Sequence, residues 1–517
     1  MGGAKEECGI AAIYLKNLNL NNSIVPEAIY RILSHLRHRG QLSTGICVFS
    51  PQAPEKRTKV LKVKKEMGDV DDLFRLKNQV YFKEFMEHFK GIAGIGHNRY
   101  STQPKEDYFE QIDEAQPFLR RHGRRRKRFA LAFNGTITNK QQIEKEILNE
   151  DYILDTNVDT ESIMHLISLS LNKYFEPDLN KKVDLFKVFE EVMKKLDGSY
   201  SLVSLFADGN LVVIRDQFGF KPLVFGETDE FIAFASESTA LQGIGIKKFY
   251  DIEPGSCTIF DGKTLQSRNF FPGHKKAYCH FEYVYFSKAT SYIEGKSVNS
   301  VRKNLGKALA EIEPLKESII KSPEDYVVVP IPNTAIPASE SFANALGLYK
   351  NSAIELNSHK RGFINKGFFR GIIMGGKYSI ISESIKGKKV ILIEDSIVRG
   401  ETSEKVIRML RNAGAEEVHL RSTEPLIKCP CFYGIDFPSH KELIARMFGN
   451  LSDKEIAEAI SKKIGADSLV FQDINGLIQA IGFPKEDLCL ACLNGDYPTP
   501  CGKECALCSA KEGNVSL

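Results

Sequence analysis

No stretch of about 18 consecutive apolar residues occurs in the 517-residue chain, so no segment is fit to cross a bilayer as a helix. The amino terminus, Met1-Gly2-Gly3-Ala4-Lys5-Glu6-Glu7, lacks an apolar signal core, and Glu6 stands where a myristoylation signal built on Gly2 wants Ser or Thr. Secretion and lipid anchoring are therefore not expected, and the chain is expected in the cytoplasm. An excess of one charge is missing too. The 70 basic and 66 acidic residues leave a formal net charge of +4, which argues against nucleic acid or a membrane surface as a partner. One dense basic run, Arg120 to Arg128, precedes a strand at Phe129 to Phe133 and is expected as a solvated loop. Internal repeats and low-complexity segments are absent. With no secretion signal, the 11 cysteines, an odd number, point to metal, catalysis or burial rather than to a disulfide framework.

Apolar residues make up 42% of the chain and aromatics 10%, enough for two or three globular domains at this length. The most informative stretch is Val390-Ile391-Leu392-Ile393-Glu394-Asp395-Ser396-Ile397-Val398-Arg399-Gly400-Glu401-Thr402. Its apolar start fits a strand buried on both faces of a parallel sheet, and ligands of open α/β sheets bind at the carboxyl edge of such strands. Glu394 and Asp395 could there accept hydrogen bonds from vicinal sugar hydroxyls. Backbone N–H groups from Ser396 to Thr402, Gly400 among them, would face a phosphate at the start of the following helix. Thr402 is the expected cap of that helix; Val406, Ile407 and Leu410 form its apolar stripe, and Gly414 ends it before a strand at Val418 to Leu420. A second strand, loop and helix run from Tyr326 to Gly347, with Pro330 to Ile336 as the turn.

Near the start, Cys8 opens an apolar strand, Gly9 to Tyr14. As an internal residue it reads as a small core side chain. If residues 1–7 are removed, its freed α-amino group, with a usual pKa of about 7.7 to 8.0, can serve as base for its own thiol. Four further pieces follow: His38-Arg39-Gly40-Gln41, Gly96-His97-Asn98-Arg99-Tyr100-Ser101-Thr102, Asn134-Gly135-Thr136-Ile137-Thr138-Asn139 and Asp159-Thr160-Glu161. Singly they read as a surface ion pair at Arg99, a hairpin turn at Asn134-Gly135 and a helix N-cap at Asp159.

Together and in this order they resemble the N-terminal nucleophile glutamine amidotransferases, while the 390–402 stretch resembles the phosphoribosyl diphosphate motif of type I phosphoribosyltransferases. Over nearly the whole chain the combination is similar to the amidophosphoribosyltransferase family, whose reaction opens purine synthesis. The resemblance implies a two-domain protein of α/β and α+β class. A four-layer αββα N-terminal nucleophile hydrolase domain (8–250, after a propeptide 1–7) would precede a parallel-sheet phosphoribosyltransferase domain (251–480) and a Cys-rich tail (481–517). It further implies Cys8 as nucleophile, Asn134 and the Gly135 N–H as oxyanion hole, Arg99 as clamp for the α-carboxylate of glutamine and Asp159 as partner of its α-ammonium. Arg39 has a supporting place beside the nucleophile. Glu394, Asp395, Ser396, Arg399, Gly400 and Thr402 would hold the phosphoribosyl donor, with Lys366 and Arg370 reaching its phosphates from the loop 357–371. Mg2+ would bridge the ribose hydroxyls and the diphosphate, Asp395 counting both as a sugar contact and as the carboxylate on the metal's side. The implied substrates are glutamine and phosphoribosyl diphosphate, and a homo-oligomer is expected.

The pair Cys489-Leu490-Ala491-Cys492 has the spacing of half a metal site. With Cys279 and Cys431 it matches the positions at which a subset of the family holds a [4Fe–4S] cluster; zinc or redox thiols are the alternatives. Cys501, Cys505 and Cys508 lie beyond the family's usual end, and Cys429 sits close enough to Cys431 to confuse an assignment. Phe133 replaces a usual His, Gln103-Pro104 a small-residue turn and Lys221 a usual Arg. Glu401 stands in place of Thr beside the expected phosphate, and the 357–371 loop lacks the family's Lys-Asn-Arg-Tyr wording. These departures keep open a glutaminase with an altered acceptor, or a non-catalytic sensor of phosphoribosyl diphosphate or redox state.

Overall fold

A computed structural model describes residues 8–17, 23–51, 59–100, 108–176, 182–356, 378–449 and 451–513. The amino-terminal unit is built on two sheets. The first has seven strands, in the order Phe249–Asp251, Val224–Glu227, Phe231–Ala235, Gly9–Leu15, Ala93–Arg99, Ser43–Phe49 and Leu61–Met67. The second has six: Leu265–Asn269, Ser256–Phe260, Leu211–Arg215, Gly198–Phe206, Phe129–Ile137 and Phe118–Arg120.

Strand alternation makes the layers. Ala11, Ile13 and Leu15 turn to the helix Ile24–His35, while Ile10, Ala12 and Tyr14 turn to the other sheet. In the second sheet Ala130 and Ala132 face inward with Val203 and Leu205, and Phe129, Leu131 and Phe133 pack outward under Asp159–Tyr174 and Leu185–Lys195. The result is helix, sheet, sheet, helix. The sheet continues past residue 250, since Ser256–Phe260 pairs with the strand Leu211–Arg215 through Cys257 and Ile214. The first unit therefore reaches Asn269, beyond the boundary expected from sequence.

The second unit carries a parallel four-stranded sheet, Tyr326–Pro330, Lys389–Glu394, Glu417–Ser422 and Ser468–Phe471. Its second strand is covered on both sides. Val390 and Leu392 meet Val406, Ile407, Leu410, Ile456 and Ile460, whereas Ile391 and Ile393 meet Leu309 and Phe342. The carboxyl-terminal segment is part of this unit rather than an appendage: Leu488–Cys489 pairs in parallel with Tyr278–Cys279. Among the described residues no helix is long and apolar enough to cross a membrane.

The two units share buried polar contacts. Arg215 donates to Glu294 at 2.6 Å, the Ser199 hydroxyl donates to the Tyr433 carbonyl at 2.8 Å, and Tyr433 stacks on Phe220 with centroids 4.4 Å apart. Lys221 is 1% exposed within this contact. The basic run is a surface segment whose Arg124 and Lys127 lie over the Phe175 ring.

Candidate active site

Antiparallel register brings several of the candidate site residues to one end of the sandwich. Gly9 is opposite Asn98, so the same register carried one residue further sets Cys8 against Arg99. Beside them, His97 is fully buried, its Nε2 lies 3.0 Å from the Phe133 carbonyl, and burial pushes its pKa down to about 3, so the ring is neutral and Nε2–H donates. That bond links the strand of Arg99 to the strand of Asn134.

Asn134 and Gly135 are not a hairpin turn but the middle of the strand Phe129–Ile137. Asn134 is 1% exposed and its Nδ2 has no hydrogen-bond partner. A buried amide donor left unpaired costs about 1–3 kcal/mol, an expense native structures seldom tolerate without a use. Gly135 has φ +154°, and a Cβ there would lie 2.0 Å from the Ser199 carbonyl oxygen. Only glycine fits.

Asp159 is the first residue of its helix rather than the N-cap, which is Val158. Its Oδ2 accepts from the Ile137 N–H at 3.0 Å, at the end of the Asn134 strand, and Lys140 Nζ is 3.7 Å from Oδ1. Burial raises its pKa, against the pull of Ile137 N–H and Lys140. A further cation beside it would be favourable.

Arg99 is buried rather than at the surface. Its Nη2 donates to Glu114 at 2.6 Å, and Nη1 is 3.4 Å from the Gln111 carbonyl. Glu114 engages only one nitrogen of the guanidinium. The neighbouring Gln116 side chain accepts from the Phe133 N–H at 2.7 Å. Sequence reasoning overlooked Glu114 and Gln116 because they lie 15 and 17 residues from their partners, beyond any local motif.

Arg39, packed beside Gly9, is fully buried and bridges the units: it donates to Glu237, to Glu282 Oε2 at 2.6 Å and to Ser287 Oγ at 3.0 Å. Although burial pushes the Glu237 carboxyl up, His38 and Arg39 hold it well below the usual range. On the other side, Arg302 donates to the carbonyls of Tyr283 at 2.9 Å and Ser287 at 2.7 Å, and its charge acts on Asp395. A short polar route thus runs from the Cys8 end of the sandwich to the acids of the second unit.

Glu394 ends its strand and accepts from Ser403 Oγ at 2.6 Å; Asp395 accepts from Ser396 Oγ at 3.0 Å. Burial raises Asp395 to about 6, against Ser396 and Arg302, which lower it. Gly400, with φ +77°, takes the N-cap place of the helix Glu401–Asn412, and a Cβ on it would come within 2.5 Å of Ile444. Thr402 is therefore inside the first turn and is not the cap, because the chain enters the helix through a left-handed glycine. Glu401 is solvent-exposed in that turn, where a carboxylate suits the helix dipole. Arg399 is not held toward a phosphate: it pairs with Glu442 and donates to the Asp436 carbonyl at 3.1 Å. Lys366, Arg370 and the rest of 357–377, with Ser101 to Asp107, lie outside the described residues.

Cys279, Cys431, Cys489 and Cys492 line one cavity, closed by Phe220, Phe281 and Tyr497. The parallel pairing sets Cys279 opposite Cys489. Cys429 does not line it; its sulfur accepts from Arg446 Nη2 at 3.6 Å. Burial raises the Cys489 thiol to about 12 and drives Cys492 well above its ordinary value.

Compared with known proteins, residues 97–243 match the profile of a glutamine amidotransferase domain and residues 302–422 that of a phosphoribosyl transferase domain. The amidophosphoribosyltransferase of Methanothermobacter thermautotrophicus is 36% identical over 504 residues, covering 96% of this chain and 95% of that one. This chain belongs to the amidophosphoribosyltransferase family. The Bacillus subtilis member is 32% identical over 522 residues, 99% of this chain and 98% of its own. The solved B. subtilis glutamine phosphoribosylpyrophosphate amidotransferase, complexed with ADP and GMP, superposes with a TM-score of 0.79 at 31% identity, over 96% of this chain and 98% of that chain. As a member of the family, the chain joins a glutamine amidotransferase domain to a phosphoribosyltransferase domain, as its sequence led one to expect.

Proposed function

We propose that this amidophosphoribosyltransferase moves the amide nitrogen of glutamine to C1 of phosphoribosyl diphosphate, giving phosphoribosylamine, glutamate and diphosphate, with Cys8 as nucleophile after loss of residues 1–7. The freed α-amino group takes the thiol proton and the sulfur attacks the amide carbon. The oxyanion forms within reach of the orphaned Asn134 Nδ2 and the Gly135 N–H, where one such donor contributes about 3–4 kcal/mol. The α-ammonium returns that proton to the departing nitrogen, collapse expels ammonia, and water releases glutamate from the thioester. Arg99, held by Glu114 at one nitrogen, keeps donors for the α-carboxylate, and Asp159 takes the α-ammonium.

Ammonia must reach the ribose before water protonates or removes it, so we place its path along the buried contact between the units, beside Arg39 and Arg302. Glu394 and Asp395 hold the ribose hydroxyls at the strand edge. Mg2+ would neutralise the departing diphosphate. Such an ion keeps most of its waters and is held by one or two carboxylates and the substrate's own oxygens. Asp395 is the carboxylate suited to it, and Lys366 and Arg370 are assigned to the phosphates.

The cavity of Cys279, Cys431, Cys489 and Cys492 fits a [4Fe–4S] cluster: four thiols surround one apolar space, and a cluster spreads its sulfurs wider than a single ion does. It would pin the 489–492 turn to the core of the second unit. A cytoplasmic homo-oligomer completes the proposal.

The observation carrying this reading is that Cys8, Arg99, Asn134 and Asp159, far apart in sequence, share one end of the sandwich. In Cys8→Ala the glutamine-dependent reaction should vanish while synthesis from added ammonia persists; equal glutamine-dependent activity would overturn it.

A further inference from the structure

A buried His–Glu pair with no part in the reaction described above lies between the cysteine cavity and the phosphoribosyl acids. His280 and Glu424, 144 residues apart in sequence, are both fully buried, and the ring Nε2 stands 2.5 Å from Glu424 Oε1. Each partner is anchored on its far side. The Nδ1–H of His280 donates to the Cys489 carbonyl at 2.8 Å, within the short parallel pair that Leu488–Cys489 forms with Tyr278–Cys279. Glu424 follows the end of the strand Glu417–Ser422, and there the main chain reaches the acids. The Glu424 N–H donates to the Asp395 carbonyl at 2.9 Å and the Thr423 N–H to the Glu394 carbonyl at 3.0 Å. The Thr423 hydroxyl is a second donor to the Asp395 carbonyl, at 3.2 Å, and the Ser422 hydroxyl closes the turn on the Glu424 carbonyl at 2.8 Å.

A buried polar pair adds little stability over apolar side chains of similar volume; what it supplies is position. Glu424 Oε2 has no hydrogen-bond partner, so this pair is not built for the fullest bonding of its own groups. We infer that His280 and Glu424 are positioning residues for the phosphoribosyl donor. They form a strut from Cys489 to the turn 422–424, and that turn holds the main chain of Glu394 and Asp395 at the strand edge. The inference rests on the donor site proposed above, and neither residue touches the donor. Ser403 on Glu394 and Ser396 on Asp395 fix each carboxylate within its own segment, whereas the strut fixes that segment against the core. Displacing such a group by about 1 Å costs on the order of 10²-fold in rate even when the change lies far from the chemistry.

The test compares the full-length parent with Glu424→Gln, Glu424→Ala and the apolar double replacement His280→Leu, Glu424→Met, in ammonia-dependent synthesis with Mg2+ and varied phosphoribosyl diphosphate. Glu424→Ala and the double replacement should raise the KM for phosphoribosyl diphosphate about tenfold or more, while the KM for glutamine, measured at saturating donor, stays within about twofold. Glu424→Gln keeps a hydrogen-bond partner for either tautomer of His280 and should stay near the parent. The double replacement preserves packing, so it should melt with the parent, yet show faster hydrogen exchange at the amides of residues 423 and 424. Exchange reads the strut whether or not product forms; a parent that makes no phosphoribosylamine counts instead against the donor site itself. A parental KM for the donor in the double replacement, equal rises in both KM values, or unchanged exchange at residues 423 and 424 would overturn the assignment.

Discussion

In an Asn134→Ala variant the group removed is a buried amide whose Nδ2 has no partner in the resting protein. Its loss should hardly change stability: relief of an unpaired donor gains about 1–3 kcal/mol, and the small void left behind costs a similar amount. The melting temperature should stay within about 3 °C of the parent. Catalysis should respond quite differently. If the amide waits for an oxyanion, its removal costs about 3–4 kcal/mol in the transition state, or a fall of about 10²- to 10³-fold in glutaminase kcat. The KM for glutamine should change little, because the donor acts on charge that develops only during attack. The assay is steady-state glutamate release, with ammonia-dependent synthesis measured in parallel and expected to be unchanged. A variant that melts well below the parent while keeping its glutaminase rate would show that Asn134 is a structural residue and refute the oxyanion argument.

Gly135→Ala should fail through sterics, since its Cβ would lie 2.0 Å from the Ser199 oxygen; a loss of about 3 kcal/mol or more is expected in urea unfolding, and near-parental stability would contradict the strand geometry. Glu114→Ala leaves the buried Arg99 guanidinium unpaired, so stability should fall by about 3–5 kcal/mol, whereas Glu114→Gln should fold and raise the KM for glutamine with little change in kcat. Asp395 has a folded pKa of about 6 against an ordinary 3.8, so its stabilising contribution is complete below about pH 4 and disappears as pH rises toward and through 6. Compared with Asp395→Asn, the parent should therefore lose up to about 3 kcal/mol of stability between pH 4 and pH 7; parallel pH profiles would refute the shift.

Much of the architecture was legible because strand alternation and burial leave direct marks. The run Val390 to Ile393 announced a doubly covered parallel strand, and the small residues Ala130 and Ala132 now prove to face the opposing sheet. The domain boundary was misplaced because Ser256–Phe260 joins its sheet through long-range pairing that no local pattern signals. Thr402 looked like a cap because its side chain suits the role, but Gly400 enters the helix in a left-handed conformation that only the packing against Ile444 explains. Arg399 carries the family's wording, yet Glu442, 43 residues away, claims its charge. Glu114, Glu282 and Arg302 were missed for the same reason, their partners being distant in sequence. Asn134-Gly135 and Asp159 stood out in the sequence only as an ordered set; each alone has a commoner structural use.

The central claim, that nitrogen freed at Cys8 is captured within the same molecule, is tested most directly by isotope competition. Glutamine labelled with 15N in the amide is supplied with phosphoribosyl diphosphate and an excess of unlabelled ammonium, at a pH where added ammonia alone supports little synthesis. Phosphoribosylamine should carry 15N undiluted by the surrounding pool. Product nitrogen that matches the bulk isotope ratio would mean that ammonia escapes before capture, and would contradict the account.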